Sequence, residues 1–290
     1  MTAYLFLLGA ICCSPIISIV SSAYSQKNAG TSNISGIYNV IVTLSASFIW
    51  GVFYISELTF EPGVLLYSLG YGIFYTMAFT GLYGALASGP VSLTAFAKQL
   101  SLLAVAVWGY IFWHFEVEVN VIVGMVLIVG ALYLCFKPEK GTHTKPVTLK
   151  WLIFALMLIG GNAGCSILQK MQQAKYNSEH GDMMMFFGCL LSMLVCVVMY
   201  FTKKQCRISE IKKASLLFPV IGGLSSGLMN LFFILLINSP LSESVFFPCI
   251  AVGGLILTTV YSVVFCRERL MPHQWVGLAI GAVALVFLNL

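Results

Sequence analysis

The sequence predicts an all-α membrane protein with ten transmembrane helices arranged as two inverted five-helix repeats. Three observations predict it. Of the 290 residues, 59% are hydrophobic and 9% charged, against ~25% charged in an average soluble chain. Apolar runs of spanning length follow one another with little between them. The chain also matches itself at an offset near 150 residues.

A helix needs ~20 mainly apolar residues to cross a hydrocarbon core of ~30 Å. Ten segments qualify, at 2–23, 35–56, 63–84, 90–113, 119–136, 150–170, 183–202, 215–237, 242–265 and 272–290. The first lacks the basic flank of a secretory leader and reads as a retained helix; it carries Ser14, Ser18 and Ser21 beside Pro15. The second ends near Glu57. The third carries Tyr67, Tyr71 and Tyr75 at four-residue intervals on one face. The fourth opens at Pro90 and holds Lys98, with Thr94 and Ser101 on the same face. The fifth is Gly-rich, VGMVLIVGALYL. The sixth carries Asn162, Ser166, Gln169 and Gln173 in line, and the seventh contains Cys189 and Cys196. The eighth has Gly222, Ser226 and Asn230 on one face. The ninth begins with Glu243 and contains Pro248, which removes a backbone donor and predicts a kink. The tenth, VGLAIGAVALVFL, is again Gly-rich.

Little lies between these segments, the longest polar connections being 137–147 and 203–213, so no soluble domain is expected. Of the 15 Lys and Arg, all but Lys98, Lys170 and Lys175 fall in alternate connections. Basic connections stay in the cytoplasm, which places both termini outside. The nine cysteines form no CxxC and no paired histidines accompany them, so small packing residues are expected and no metal site. Phosphate-binding loops, catalytic triads and paired carboxylates are missing as well, which argues against an enzyme, a cofactor and ATP-driven work. Nothing points to nucleic acid.

At the offset near 150, Leu5–Ala10 falls on Leu156–Gly161, Gly72 on Gly222, and Ser88-Gly89-Pro90 on Asn238-Ser239-Pro240. Phe96 falls on Phe246, Glu116 on Glu268, and Val123-Gly124 on Val276-Gly277. The halves are therefore 1–136 and 150–290, joined by a cytoplasmic link at 137–149. Five spans per half is odd, so the second half enters the membrane inverted. Such repeats let two similar bundles expose a midplane site first to one side and then to the other.

The layout and the end of each half resemble the drug/metabolite transporter superfamily and its EamA-type ten-helix members. Each half closes with a short loop holding Pro90 or Pro240, a small-residue-rich helix, a polar turn with Glu116 or Arg267-Glu268-Arg269, and a Gly-rich last helix. The resemblance covers the whole chain and implies a multi-pass carrier in a plasma membrane of bacterial type. It also implies cytoplasmic termini, where the basic connections imply the reverse.

Lys98 is the outstanding residue. Eight residues past Pro90, it lies ~12 Å into its helix, and a lipid-facing cation at that depth costs ~2.5–3.5 kcal/mol. Either the stem snorkels toward the headgroups or the ammonium faces a central pocket. The pocket expected around it is lined by Thr94, Ser101, Tyr71, Tyr75, Asn162, Ser166, Gln169 and Asn230. Interhelical stitching is the plain alternative for the amides and hydroxyls. The expected function is secondary transport, by alternating access, of a small polar or amphipathic organic metabolite, an anionic one such as an amino acid if Lys98 faces the pocket. A proton or another ion is the expected coupling partner. The alternative is a passive channel, although a pore calls for a continuous polar lining or a ring of like charges.

Overall fold

The computed structural model describes residues 2–28, 35–112, 119–136, 147–177, 179–202, 213–237, 239, 241, 243–267 and 269–287. Most of the expected link at 137–149 lies outside the described residues, as do Glu116, Glu118, Pro240, Glu268 and the basic residues of 203–212. Among the described residues the chain is all-α: α1 Thr2–Lys27, α2 Ser35–Glu57, α3 Pro62–Ser88, α4 Val91–Gln99, α5 Ser101–Phe112, α6 Val119–Phe136, α7 Leu149–Lys175, α8 Gly181–Thr202, α9 Leu217–Ile237, α10 Glu243–Val264 and α11 Pro272–Phe287. Six of these regions are long and apolar enough to span a membrane: Ala3–Lys27, Ser35–Ser56, Pro62–Ser88, Leu149–Lys175, Gly181–Thr202 and Lys213–Leu236. Large apolar side chains remain exposed along the helices, among them Leu5, Phe48, Leu66, Val129, Leu156 and Val260. Acyl chains would cover such a surface, which water would not.

Local chemistry sets the helix starts. Pro62 opens α3, and Glu61 accepts from the Gly63 amide at 3.3 Å. Thr148 caps α7 by accepting from the Trp151 amide at 3.2 Å. Pro272 opens α11, with the Gln274 side chain reaching back to the Met271 amide at 3.0 Å. These caps satisfy donors that the first helical turn leaves free.

One expected span is corrected. The segment 90–113 is not a single helix, because α4 stops at Gln99 and α5 starts at Ser101. The ninth segment runs through Pro248 as helix α10, and the Pro248 side chain lies outside the described residues.

Packing runs across the chain rather than along it. α3 packs chiefly on α7 and α8, α1 on α9 and α10, α2 on α8 and α9, and α6 on α11. The α3–α7 crossing is built on glycine. A Cβ on Gly81 would lie 2.5 Å from the Leu158 amide nitrogen, and one on Gly161 would lie 2.8 Å from the Phe74 carbonyl oxygen. The Phe154 ring covers Gly84 and the Phe74 ring covers Gly164, so the two helices exchange the same contact in both directions. Close backbone approach of this kind is what holds helices together where lipid offers no hydrophobic drive.

Candidate functional site

Lys98 sits beside the break between α4 and α5. α4 begins after Pro90, whose carbonyl accepts from the Thr94 amide at 3.1 Å. At Leu100 the ladder falters: its amide is shared between the Phe96 and Ala97 carbonyls at 3.3 and 3.1 Å, and the ladder resumes from Ala104 to Leu100 at 3.2 Å. The Ser101 hydroxyl donates to the Lys98 carbonyl at 2.8 Å. Leu100 itself and Val91–Ala97 before it are buried, while Lys98, Gln99 and Ser101 beside the break are half-buried. Neither Pro nor Gly marks the spot in the sequence.

Lys98 itself is half-buried, and Nζ lies 3.5 Å from the Ser14 carbonyl on α1. That is longer than a good N–H···O bond of ~2.7–3.2 Å. Its two expected flanks are engaged elsewhere. Thr94 is fully buried, donates to the Pro90 carbonyl at 2.7 Å and accepts from Trp151 Nε1 at 3.0 Å, which ties α4 to α7. Ser101 is occupied by the Lys98 carbonyl rather than by the ammonium.

The tyrosines form a separate group. Tyr71 and Tyr75 are buried and stack at 5.5 Å between centroids, with Phe79 edge-on to Tyr75 at 4.8 Å. The Tyr75 hydroxyl is 2.9 Å from Ser226 Oγ on α9, and Asn230 Nδ2 donates to the Ser226 carbonyl at 2.9 Å. On α7, Asn162 Nδ2 is buried without a described partner, while Ser166 and Gln169 are half-buried. Tyr71, Tyr75, Ser226 and Asn230 are thus brought together between α3 and α9. No described hydrogen bond joins them to Lys98.

Other polar residues went unremarked in the sequence. Asn39 on α2 donates to Thr80 on α3 at 3.1 Å, and Thr76 meets Ser192 on α8 at 2.8 Å. Asn39, Thr43 and Ser47 recur every fourth residue, the same signal that singled out the sixth segment. Tyr24, Tyr38 and Tyr83 cluster at the common end of α1, α2 and α3, with centroids 5.0–6.1 Å apart, and Ser21 is bonded to Tyr38. At the far end of α3, Lys175 lies over the rings of Tyr67 and Tyr176 at 5.6 and 5.3 Å.

No family model matches the chain, and no curated protein matches it. The fold is known nonetheless, since 28 chains of solved structures match it. One, described only as the crystal structure of a protein, superposes with a TM-score of 0.64 at 12% identity over 99% of this chain and 96% of its own. This is a multi-span helical membrane protein. At that identity the likeness speaks for the fold alone. Among the described residues, the site offers hydrogen bonding, ring stacking and the half-buried Lys98 ammonium.

Proposed function

We propose that the chain is a secondary transporter of EamA-like, drug/metabolite-transporter architecture. It moves a small polar or amphipathic organic metabolite by alternating access, driven by an ion gradient such as that of protons. One observation carries this, the reciprocity of the packing. Match α1, α2, α3, α4–α5 and α6 with α7, α8, α9, α10 and α11, then exchange the two sets. The α3–α7 packing becomes α9–α1, α3–α8 becomes α9–α2, and α4–α5 on α7 becomes α10 on α1, while α2–α8 and α6–α11 map onto themselves. A two-fold relation between halves 1–136 and 150–290 would produce that pattern, and an inverted repeat has its use in alternating access.

Lys98 is the charged contact of the carrier. A half-buried ammonium with one long carbonyl contact, next to a helix interruption, matches the discontinuous helices around which transporter sites form. The Tyr71–Tyr75 stack offers a ring surface with polar tips for the rest of the substrate. Counterflow in proteoliposomes tests the reading, using labelled amino acids and monocarboxylates. A carrier shows accelerated uptake of label into liposomes preloaded with the same compound. Lys98→Met should insert normally and lose that exchange. Ionic current without counterflow would make the protein a channel, and wild-type exchange by Lys98→Met would remove the lysine from the site.

A further inference from the structure

In an inverted-repeat carrier the two halves hold different conformations and trade them, so a contact that one half makes and the other lacks tells which mouth is shut. The reciprocity of the packing is incomplete in this way. α3 packs on α1 and on α2, whereas the counterpart contacts, α9 with α7 and α9 with α8, are not made to a comparable extent among the described residues.

Burial follows the same division. Residues 81–85 near the end of α3 are all buried, while residues 231–235 of α9, which match them at the offset that sets Gly72 on Gly222, are all half-buried. Ser14 and Ser18 of α1 are buried, while Cys165 and Gln169 of α7, which match them at the offset that sets Leu5 on Leu156, are half-buried.

The end that closes does so with rings. Tyr24 on α1, Tyr38 on α2 and Tyr83 on α3 are buried, with centroids 5.0 Å apart for Tyr24 and Tyr38, 5.0 Å for Tyr38 and Tyr83, and 6.1 Å for Tyr24 and Tyr83. Ser21 meets the Tyr38 hydroxyl. Each helix brings one ring, so parting α3 from α1 and α2 must break ring contacts. The matching end differs. Lys175 takes the place of Tyr24, is exposed, and lies over Tyr67 and Tyr176. Phe233 takes the place of Tyr83 and is half-buried. Toward that end α7 carries Ser166, Gln169 and Gln173, all half-buried. Amides in line do not belong against acyl chains, so their exposure is exposure to water.

We propose that Tyr24, Tyr38 and Tyr83 form the gate of one mouth of the carrier, that the structure holds this mouth shut, and that the other mouth stands open between the ends of α7 and α9 with the amide stripe as its wall. This rests on the carrier reading above. On the orientation argued from the basic connections, the shut mouth is the cytoplasmic one and the interior is reached from outside. When the halves trade conformations, Tyr83 parts from Tyr24, and Phe233 closes toward the end of α7.

The test is the reactivity of single added cysteines toward a charged, water-soluble thiosulfonate, in the purified full-length chain in detergent, where both faces are reachable. Peptide mass spectrometry separates each added thiol from the nine native cysteines. Gln169→Cys and Phe233→Cys should react roughly tenfold or more faster than Ser18→Cys, the buried match of Gln169, because thiol reactivity depends on access. Tyr83→Ala removes two ring contacts and should raise the rate at Ser18→Cys by roughly tenfold, whereas Tyr83→Phe keeps the ring and should leave it unchanged. The comparison of Ser18→Cys with Gln169→Cys keeps all three tyrosines, so it decides the matter even where Tyr83→Ala fails to fold. Equal rates at Ser18→Cys and Gln169→Cys, or a folded Tyr83→Ala chain with no gain at Ser18→Cys, overturn the proposal. If the rates follow the expected pattern but counterflow fails for every compound, the carrier reading falls and the one-sided seal stands. If counterflow is found and Ser18→Cys reacts as fast as Gln169→Cys, the seal falls and the carrier stands.

Discussion

Replacing Gly81 by alanine tests the helix crossing on which the interior is built. The new Cβ would lie 2.5 Å from the Leu158 nitrogen, 2.8 Å from the Phe154 oxygen and 2.9 Å from the Leu158 Cα. Ordinary contact begins near 3.4 Å, so the shortfalls are about 0.9, 0.6 and 0.5 Å. All three obstacles are backbone atoms, which cannot rotate aside, so α3 and α7 must part by most of an ångström. A gap of that size forfeits roughly a quarter to a half of each dispersion contact along the seam. Overpacking of this kind costs ~1–3 kcal/mol and sometimes more, and we expect the upper end because no side chain can yield. Alanine returns up to ~1 kcal/mol as the better helix former, leaving a net loss of ~2 kcal/mol. Gly130 on α6 is the control, since a Cβ there meets nothing within 4 Å. Gly130→Ala should be neutral or slightly stabilising. Unfolding midpoints in bicelles for the two variants and the wild type decide the matter. A Gly81→Ala midpoint at or above that of the wild type would refute the close crossing, as would an equal loss in Gly130→Ala.

Three further outcomes are expected. The Tyr75–Ser226 bond joins α3 to α9 at 2.9 Å, and a double-mutant cycle of Tyr75→Phe with Ser226→Ala should give a coupling of ~0.6 kcal/mol, as is usual between membrane helices; zero coupling would mean the two hydroxyls do not meet. Thr94→Val leaves the buried Trp151 Nε1 without its 3.0 Å acceptor and should destabilise by ~1–3 kcal/mol, whereas Thr94→Ser should keep most of the stability. Cysteines placed at Lys27, Thr142 and Lys204 should react with an impermeant thiol reagent only after cells are permeabilised, and labelling in intact cells would reverse the orientation argued from the basic connections.

The membrane setting was legible from composition, because hydrocarbon tolerates so few charges that 9% charged residues leaves little choice. Two helix starts were legible too, since Pro62 and Pro272 each supply a fixed φ and lack a donor that a first turn would leave unpaired anyway. So was Lys98 as a residue in need of an explanation, because the penalty for a deep charge holds wherever the neighbours lie. Nothing in the sequence told Gly81 and Gly161 that they would face each other's helices.

Partnership was decided by the tertiary structure. Thr94 and Ser101 share a helical face with Lys98, and spacing alone counts them as its companions; in the fold Thr94 is taken by Trp151 and Ser101 by a carbonyl. The interruption at Leu100 carries no proline or glycine signal, and it follows a stretch, Val91–Ala97, that is buried against other helices. Ser14 and Ser21 look alike in the sequence, yet Ser21 donates to its own helix and meets the Tyr38 hydroxyl, while Ser14 packs against Gly254. The physical reason is that period reports only which side of a helix a residue occupies. Which partner a hydroxyl or an ammonium finds depends on what the next helix brings within about 3 Å, and that distance is set by how closely backbones from distant parts of the chain can approach.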